Sequence, residues 1–407
     1  MQPLCADTLL PDARRLLPEL RSLKDDLHRH PELSFQETRT TALLKARLTG
    51  LGLELAELGM PTGAAALLRG GRPGPTVALR ADIDAIAQQE APREGARSEV
   101  PGVMHGCGHD FHTACLWGAA RLLSQRREAL AGNVVFLFQP AEEITQGARA
   151  MLEHGLLEKL PARPRCLFGL HNRPELPAGT IAVMEGPVMA GKSHFTITLH
   201  GKAGHGGSPH KCADVIVAAS AVVSALQTVV SRSTDPLDSL VCSVLSIHAG
   251  TPENFVPDTL TMTGSIRCLK TATMDWARAR LTRLTENMCR DLRGEYEIDF
   301  FGEPLPPAVN DAHMYAAFAE TCRRMGGDGF LLPLEPSPGA EDFAYYEQKK
   351  PGLLFGLGMR NDEKGFNKPA HTCDWDIDEA ALSTGVTLFT RFVWDHMDGV
   401  PGLSPKP

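Results

Sequence analysis

Side chains that can bind metal ions are grouped in four short segments of the sequence. These are HGCGHD at 105–110, FQPAEE at 138–143, GLH at 169–171 and HTCDWD at 371–376. They supply a thiol, a carboxylate and three imidazoles, on Cys107, His109, Glu143, His171 and His371. Thiolate and imidazole suit zinc and other late transition metals. Five ligands exceed the needs of one tetrahedral ion, so the set predicts two ions about 3.5–4 Å apart. Each residue alone is more often structural, so the prediction depends on their grouping.

Two adjacent carboxylates, Glu142 and Glu143, follow an apolar run that ends at Phe138. Neighbouring residues after a strand point in different directions, so one carboxylate can bind a metal while the other faces a bound water. A metal lowers the pKa of that water, and a nearby carboxylate can accept its proton. The alternative is a solvated acidic loop, which the preceding apolar run and Pro140 make less attractive.

The elements that must position these residues alternate between helices and strands. We predict helices over 18–30, 37–48, 112–130, 312–325 and 378–397, and strands over 64–68, 76–79, 133–138, 166–170 and 353–357. This order predicts an α/β domain with a mostly parallel sheet. Sites in such sheets form beyond the carboxyl ends of the strands, where the candidate ligands fall.

The pattern changes near Gly186, which predicts an inserted domain. Strands are predicted over 194–200, 240–248, 260–267 and 296–301, and helices over 213–231 and 273–293. The order β-α-β-β-α-β is that of a ferredoxin-like domain. We therefore predict a catalytic domain of residues 1–186 and 301–407, with a second domain of residues 187–300 inserted into it.

Composition narrows the function classes. The 407 residues carry a formal net charge of -8, with 41 basic and 49 acidic side chains, so nucleic acid is not an expected partner. The ten cysteines form no CxxC pair, which argues against a zinc knuckle or a disulfide framework. The first 18 residues do not look like a signal peptide, and no uninterrupted apolar run reaches the ~18–20 residues that span a bilayer. We expect a cytoplasmic protein without a membrane partner.

The motifs together resemble the metallopeptidase and amidohydrolase family of aminoacylase, hippurate hydrolase and the indole-acetyl-amino-acid hydrolases. The matching segments run in order along nearly the whole chain: LHRHPELSFQE (27–37), LRADIDAI (79–86), MHGCGHDFHTA (104–114), FQPAEE (138–143), GLHNRPELPAGTIAV (169–183), GKAGHGGSPH (201–210), GTPENFVPDTLTMTGSIR (250–267), GAEDFAYY (339–346) and HTCDWDIDEAAL (371–382). CGHDxHT followed by PAEE at this distance is highly specific. Cys107 resembles the hippurate-hydrolase branch, because other branches carry aspartate there.

The resemblance implies a role for each metal-site residue. Cys107 would bridge two divalent ions (zinc, manganese, cobalt or nickel), and Glu142 would act as general base and later as proton donor. Asp84 would orient the ligands. The other metal ligands would be His109, Glu143, His171 and His371.

The resemblance also assigns roles within the inserted domain. His205 would polarise the scissile carbonyl, and Asn254 and Arg267 would lie near the substrate carboxylate. The inserted domain would act as a lid and build a homodimer, in which the histidine sometimes acts across the interface. The implied substrate is a small N-acyl amino acid.

The sequence departs from the family pattern at several positions. Ile144 replaces the usual glycine after the paired glutamates, Asp84 is followed by Ala-Ile-Ala, and Cys373 follows His371-Thr372 where proline is commoner. All five ligands are retained, so we expect activity with an unusual substrate pocket.

Three alternatives remain open from the sequence. On the same site, the substrate could be a dipeptide or an N-acyl-diamino acid. With different chemistry, Cys107 could be the nucleophile of a thiol hydrolase, with His109 or His112 as its base. A binding protein without turnover is the third, but it would not need Glu142.

Overall fold

The computed structural model describes residues 11–92, 95–251, 254–326 and 331–403. The chain forms two compact units with separate hydrophobic cores. The first unit comprises the described residues up to Val188, Val309–Glu335 and those from Asp342 onward; the second comprises Met189–Ala308 and Pro336–Glu341. Pro252 and Glu253, in the predicted motif at 250–267, lie outside the described residues. The mixed α/β class predicted from the sequence is confirmed.

The described helices are numbered in chain order. They are α1 (Pro11–Arg15), α2 (Leu17–Arg29), α3 (Thr38–Gly50), α4 (His109–Ser124), α5 (Gly147–Glu153), α6 (Leu156–Lys159), α7 (Val215–Thr228), α8 (Thr271–Asp291), α9 (Ala312–Gly326), α10 (Ala344–Glu347) and α11 (Ala381–Asp395).

The described strands are numbered in the same way. They are β1 (Glu54–Leu55), β2 (Ala64–Arg69), β3 (Arg72–Asp82), β4 (Ala131–Gln139), β5 (Cys166–Pro177), β6 (Ile181–Val183), β7 (Gly186–Met189), β8 (Gly191–His200), β9 (Gly204–His205), β10 (Leu240–Ala249), β11 (Phe255–Val256), β12 (Thr259–Cys268), β13 (Glu295–Asp299), β14 (Ala308–Asn310), β15 (Leu331–Pro333) and β16 (Gly352–Arg360).

The first unit contains an eight-stranded sheet in the order β1-β2-β4-β3-β5-β16-β6-β15. The four central strands are parallel to one another. Pairing is antiparallel between β2 and β4 on one flank and between β16 and β6 on the other. The predicted parallel arrangement therefore holds at the centre of the sheet, where the candidate ligands lie, but not at its flanks.

Strand β4 shows why the centre of this sheet is buried. Its sequence AGNVVFLFQ has large apolar side chains at consecutive positions, so both of its faces are apolar. Phe136 and Leu137 point to opposite faces, and neither is exposed to solvent. Such runs are typical of strands that are covered on both sides. The rigid centre fixes the positions of the loops that follow its strands.

Helix α4 begins earlier than the sequence predicted, at His109 rather than His112. It follows Gly108, whose φ of 81° is in the left-handed region that favours glycine. A Cβ at this position would also collide with the side-chain amide of Asn172. The metal-binding motif therefore forms the start of a buried helix, which holds His109 rigidly.

The second unit contains a four-stranded antiparallel sheet in the order β10-β12-β8-β13. Its elements follow one another as β8, α7, β10, β12, α8 and β13, apart from the short strands β9 and β11. Phe195, Ile197 and Leu199 alternate along β8 and are buried. The period of two seen in the sequence is therefore that of a sheet with one apolar face.

One helical segment of the second unit, Val215–Ser233, is long and apolar enough to cross a membrane by length and composition alone. It joins α7 to a short π-helical turn. Val222 and Leu226, among others, are buried in the core of the second unit. This segment thus belongs to a packed sheet-and-helix core, although it leaves other apolar side chains exposed.

Candidate metal centre

The five predicted ligands all lie in the first unit and form two overlapping groups. The thiol sulfur of Cys107 and ring nitrogens of His109 and His171 lie within 4.8 Å of one another. The same holds for Cys107, a carboxylate oxygen of Glu143 and a ring nitrogen of His371. Cys107 belongs to both groups, so its sulfur would be shared if each group held a cation.

Separate elements bring these ligands together. Cys107 and His109 flank the start of α4, Glu143 lies in the loop after β4, and His171 lies within β5. His371 lies in a later loop, where its backbone N–H donates to the carbonyl of Gly106 over 2.8 Å. Its φ of 65° is unusual for a residue with a side chain. Such strain is typical of functional positions.

Buried polar atoms at this centre fit bound cations. His109 Nδ1 lies 2.9 Å from the Asp84 carbonyl and 3.1 Å from its carboxylate, so the proton is on this nitrogen. Its Nε2 is buried and has no hydrogen-bond partner among the described residues. Glu143 Oε1 is also buried and has no hydrogen-bond partner among the residues that the structure describes. Buried polar atoms are normally satisfied, so these two atoms indicate a missing partner such as a metal ion.

The electrostatics of the centre also favour a cation. Burial lowers the pKa of His171, so its ring is neutral, the form that binds metals. Burial opposes charge on His109 too, but the negative charge of Asp82 and the hydrogen bond to Asp84 raise the pKa of His109 above its ordinary value. Negatively charged side chains thus surround the ligands, and a bound cation would offset their charge.

Glu142 is almost completely buried beside the ligands. Its side chain is 7% exposed, and Oε2 lies 3.8 Å from His109 Nε2. Glu142 and Glu143 lie on a loop in which Ala141 and Thr145 both have positive φ, 54° and 55°. Holding two such residues in the left-handed region costs energy, which indicates a loop shaped for function.

Two buried carboxylates anchor this loop. Glu37 Oε1 accepts the N–H of Ala141 over 2.8 Å, and Asp84 Oδ2 accepts that of Glu143 over 3.0 Å. Ile144, the departure noted in the sequence, follows directly and is 44% exposed. A large aliphatic side chain is therefore exposed next to the two carboxylates.

The thiol-hydrolase alternative lacks an activated nucleophile. Burial raises the pKa of the Cys107 thiol, and the nearby charge of Glu143 acts in the same direction. Reactive cysteines have a lowered pKa. His112 is not available as a base, because its Nδ1 lies 2.6 Å from Asp82 and its Nε2 accepts the N–H of Asn172 over 3.0 Å.

The residues predicted from the inserted domain all lie in the second unit. His205 is in β9 and pairs with Phe255 of β11. Asn254 precedes β11, and its carbonyl accepts the N–H of Gly206 over 3.3 Å. His205 and Asn254 are therefore close together. His205 is exposed, as expected of a group that would contact a substrate.

Arg267 lies at the other end of the second unit. It pairs with Lys192 near the start of β8, and its Nη1 donates to the Pro338 carbonyl over 2.8 Å. Thr259, at the His205 end of β12, is eight residues away, about 27 Å along an extended strand. Asn254 and Arg267 therefore lie near opposite ends of β12 within this chain.

Substitution of Asp84 should have a measurable effect on metal binding. Because its carboxylate holds both His109 and the backbone of Glu143, we expect Asp84→Asn to weaken metal affinity roughly 10- to 100-fold. Ser34→Ala is the matched control, since Ser34 Oγ only donates to Asp84 over 2.7 Å. Competition with a chromophoric chelator measures both affinities. Equal affinities in Asp84→Asn and the wild type would contradict this role.

A mixed α/β fold with grouped thiol, imidazole and carboxylate ligands beyond its central strands defines a candidate metallohydrolase. The sequence pattern of peptidase family M20/M25/M40 matches residues 78–395, and the chain belongs to this family. The resemblance stated from the sequence motifs is thereby confirmed.

Individual relatives agree with this assignment. The chain is 41% identical to the N-acetylcysteine deacetylase of Bacillus subtilis, over 91% of this chain and 95% of the relative. It is 37% identical to the IAA-amino acid hydrolase ILR1-like 4 of Arabidopsis thaliana, over 89% of this chain and 82% of the relative. Among solved structures, it is similar to a Bacillus subtilis protein described as a dinuclear metal binding peptidase of the M20 family. That match has a TM-score of 0.81 and 36% identity, over 93% and 98% of the two chains.

Proposed function

We propose that this protein is a metal-dependent amidohydrolase that cleaves the amide bond of N-acylated amino acids. The observation that carries the proposal is the pair of ligand groups sharing Cys107, with Glu142 buried beside them. The two relatives named above act, by their names, on N-acetylcysteine and on IAA-amino acids. Both substrates are amides of an amino acid nitrogen.

The residues divide the chemistry between them. Two divalent ions, held by Cys107, His109, Glu143, His171 and His371, would lower the pKa of a water and polarise the carbonyl. Glu142 accepts the proton of the attacking water and returns it to the leaving nitrogen. Asp84 keeps the proton of His109 on Nδ1, so the lone pair of Nε2 would be available to a metal ion.

The second unit supports the proposal of a ferredoxin-like lid. The strand order β10-β12-β8-β13 and the element order β-α-β-β-α-β are those of the split βαβ arrangement. We infer that residues 187–300 form this inserted domain and that residues 1–186 and 301–407 form the catalytic domain. Nine cysteines in the described residues carry free thiols, which supports a reducing compartment such as the cytoplasm.

Exposed apolar side chains on the second unit support a homodimer. Strand β10 lies at the edge of its sheet, and Val241, Leu245 and Ile247 on it are exposed. Ile216 and Val217 on α7 are exposed as well. An uncovered edge strand with apolar side chains invites pairing with another chain. We propose that a second copy of this protein, related by two-fold symmetry, packs against these exposed side chains.

The separation within the second unit supports a site completed across the dimer. Arg267 and the pair of His205 and Asn254 lie at opposite ends of β12, too far apart to contact one small substrate. Arg267 lies near the end at which the chain enters the second unit, beside Lys192. We propose that Arg267 serves the site of its own subunit and that His205 and Asn254 serve the partner's site.

Arg267 provides a test of the substrate class. An N-acyl amino acid has a free carboxylate next to its amide, and a guanidinium matches both carboxylate oxygens. We expect Arg267→Ala to weaken kcat/KM for N-acyl amino acids by about 2–4 kcal/mol. The loss should be much smaller for matched substrates with a carboxamide in place of the carboxylate. Equal losses on both substrates would show that Arg267 does not recognise the carboxylate.

A substrate panel tests the proposed function itself. Metal-loaded protein is assayed with N-acetyl, N-benzoyl and indole-acetyl amino acids, with dipeptides and with N-acyl-diamino acids, following release of the free amine. Preferred cleavage of the simple N-acyl amino acids is the expected result. Preference for dipeptides or N-acyl-diamino acids would reassign the substrate on the same site, and no release from any substrate would overturn the proposal.

A further inference from the structure

We propose that Asn172 and His112 are positioning residues that set the spacing between the Cys107 and His171 ligands; this rests on the proposed metal centre. Asn172 follows His171 on β5 and is 1% exposed. Its side-chain amide donates to the Cys107 carbonyl. Its backbone N–H donates to His112 Nε2 over 3.0 Å. Asn172 thus connects β5, which carries His171, to the segment that carries Cys107.

Both ring nitrogens of His112 have hydrogen-bond partners. Its Nε2 accepts a hydrogen bond from Asn172, so the ring proton is on Nδ1, which donates to Asp82 over 2.6 Å. Both ring nitrogens are therefore engaged in hydrogen bonds. Asp82, His109 and His112 also lie close enough to hold an ion, but both His112 nitrogens are already used. His112 accordingly acts on the metal centre through Asn172 and not as a ligand.

The carboxylate of Asp82 is itself fixed by a buried network. Arg80 Nη1 donates to Asp82 over 2.8 Å, and the same guanidinium donates to Gln139 and Asp342 over 2.8 and 3.2 Å. None of these four side chains is exposed to solvent. A buried network with satisfied members resists displacement. His112 is therefore held against a rigid support.

The position of Gly108 independently supports a positioning role for Asn172. A side chain there would collide with the amide of Asn172. The glycine between two ligands therefore leaves the space that this amide occupies. Cys107 Sγ and His171 Nε2 lie 3.8 Å apart, and shifts of about 1 Å are enough to weaken a catalytic constellation. Removing the bond between Asn172 and Cys107 should change this spacing.

The test compares metal binding in matched variants. His112→Gln can still donate to Asp82 and accept from Asn172, whereas His112→Leu can do neither. Asn172→Leu keeps the approximate shape of the side chain and removes its amide. We expect His112→Gln to bind zinc with nearly wild-type affinity, and the other two variants to bind it roughly 10- to 100-fold more weakly. In the cobalt-loaded proteins, only those two variants should show an altered thiolate-to-metal absorption band.

Two readouts separate positioning from general stability. Thermal unfolding of the metal-free proteins measures the fold, and KM at saturating metal should stay near its wild-type value. The proposal is overturned if the two leucine variants lose only thermal stability and keep wild-type zinc affinity and cobalt spectra. It is also overturned if His112→Gln binds zinc as weakly as His112→Leu. Because metal binding needs no turnover, a wild-type protein that binds zinc but cleaves no N-acyl amino acid would disprove the proposed function alone.

Discussion

Glu142→Gln is expected to lower kcat by roughly 10²- to 10⁴-fold, because glutamine cannot accept the proton of the attacking water. Glutamine keeps the size of the side chain, and Glu142 is not one of the five proposed ligands. Metal content should therefore remain at the wild-type value. Steady-state kinetics on an N-acyl amino acid and elemental analysis of the same sample measure the two quantities.

Glu143→Gln is the matched control, because it alters the adjacent carboxylate on the same loop. Glu143 has a buried, unpartnered oxygen and belongs to the ligand group with Cys107 and His371. This variant should lose metal, and activity should fall with metal occupancy. Near-normal turnover in Glu142→Gln would show that Glu142 is not the general base, even if Glu143→Gln loses metal as expected.

Mixed dimers are expected to recover activity from two inactive variants. His205→Ala should lower kcat roughly 10²- to 10³-fold, the cost of removing a group that stabilises the developing oxyanion. Consider a dimer of one His205→Ala subunit and one Glu142→Gln subunit. If His205 serves the partner's site, the site of the His205→Ala subunit has both a wild-type Glu142 and a wild-type His205. Such dimers, purified through a different tag on each subunit, should show roughly half of the wild-type activity, because one of two symmetric sites is intact.

The outcome distinguishes the two possible positions of His205. If His205 serves its own subunit, every site in the mixed dimer lacks one essential group, and activity stays at the level of the parent variants. That result would contradict the proposed exchange between subunits. Leu245→Lys on the edge strand β10 is a companion variant. It should give a monomer that binds metal but cleaves poorly.

The sequence predicts the central elements of the fold well. The strand predicted over 133–138 lies within β4, Ala131–Gln139, because a run of large apolar residues in an α/β chain is typical of a buried strand. The predicted start of α4 is three residues late, since the polar residues His109 and Asp110 look like loop residues, whereas in the structure the helix begins directly after Gly108. The antiparallel flanks of the large sheet depend on long-range pairing, which local patterns do not encode.

The sequence predicts which residue types form the candidate site, but not all of the residues that hold the ligands in place. The ligand types could be read from the motifs, and the structure groups them. The motifs indicate a role for Asp84 but none for Asp82, two residues earlier, which lies 2.6 Å from His112 in the structure. The separation of Asn254 from Arg267, in contrast, already follows from the predicted strand over 260–267, whose extended residues rise about 3.4 Å each.

Metal titration of the protein tests whether its hydrolytic activity depends on two bound ions. Protein stripped by extended chelation is titrated with zinc, manganese, cobalt or nickel, while hydrolysis of an N-acyl amino acid is followed at each addition. Turnover should be absent without metal and should rise to its full value as the two positions that share Cys107 are filled. Full activity in protein shown by elemental analysis to contain no metal would contradict this dependence.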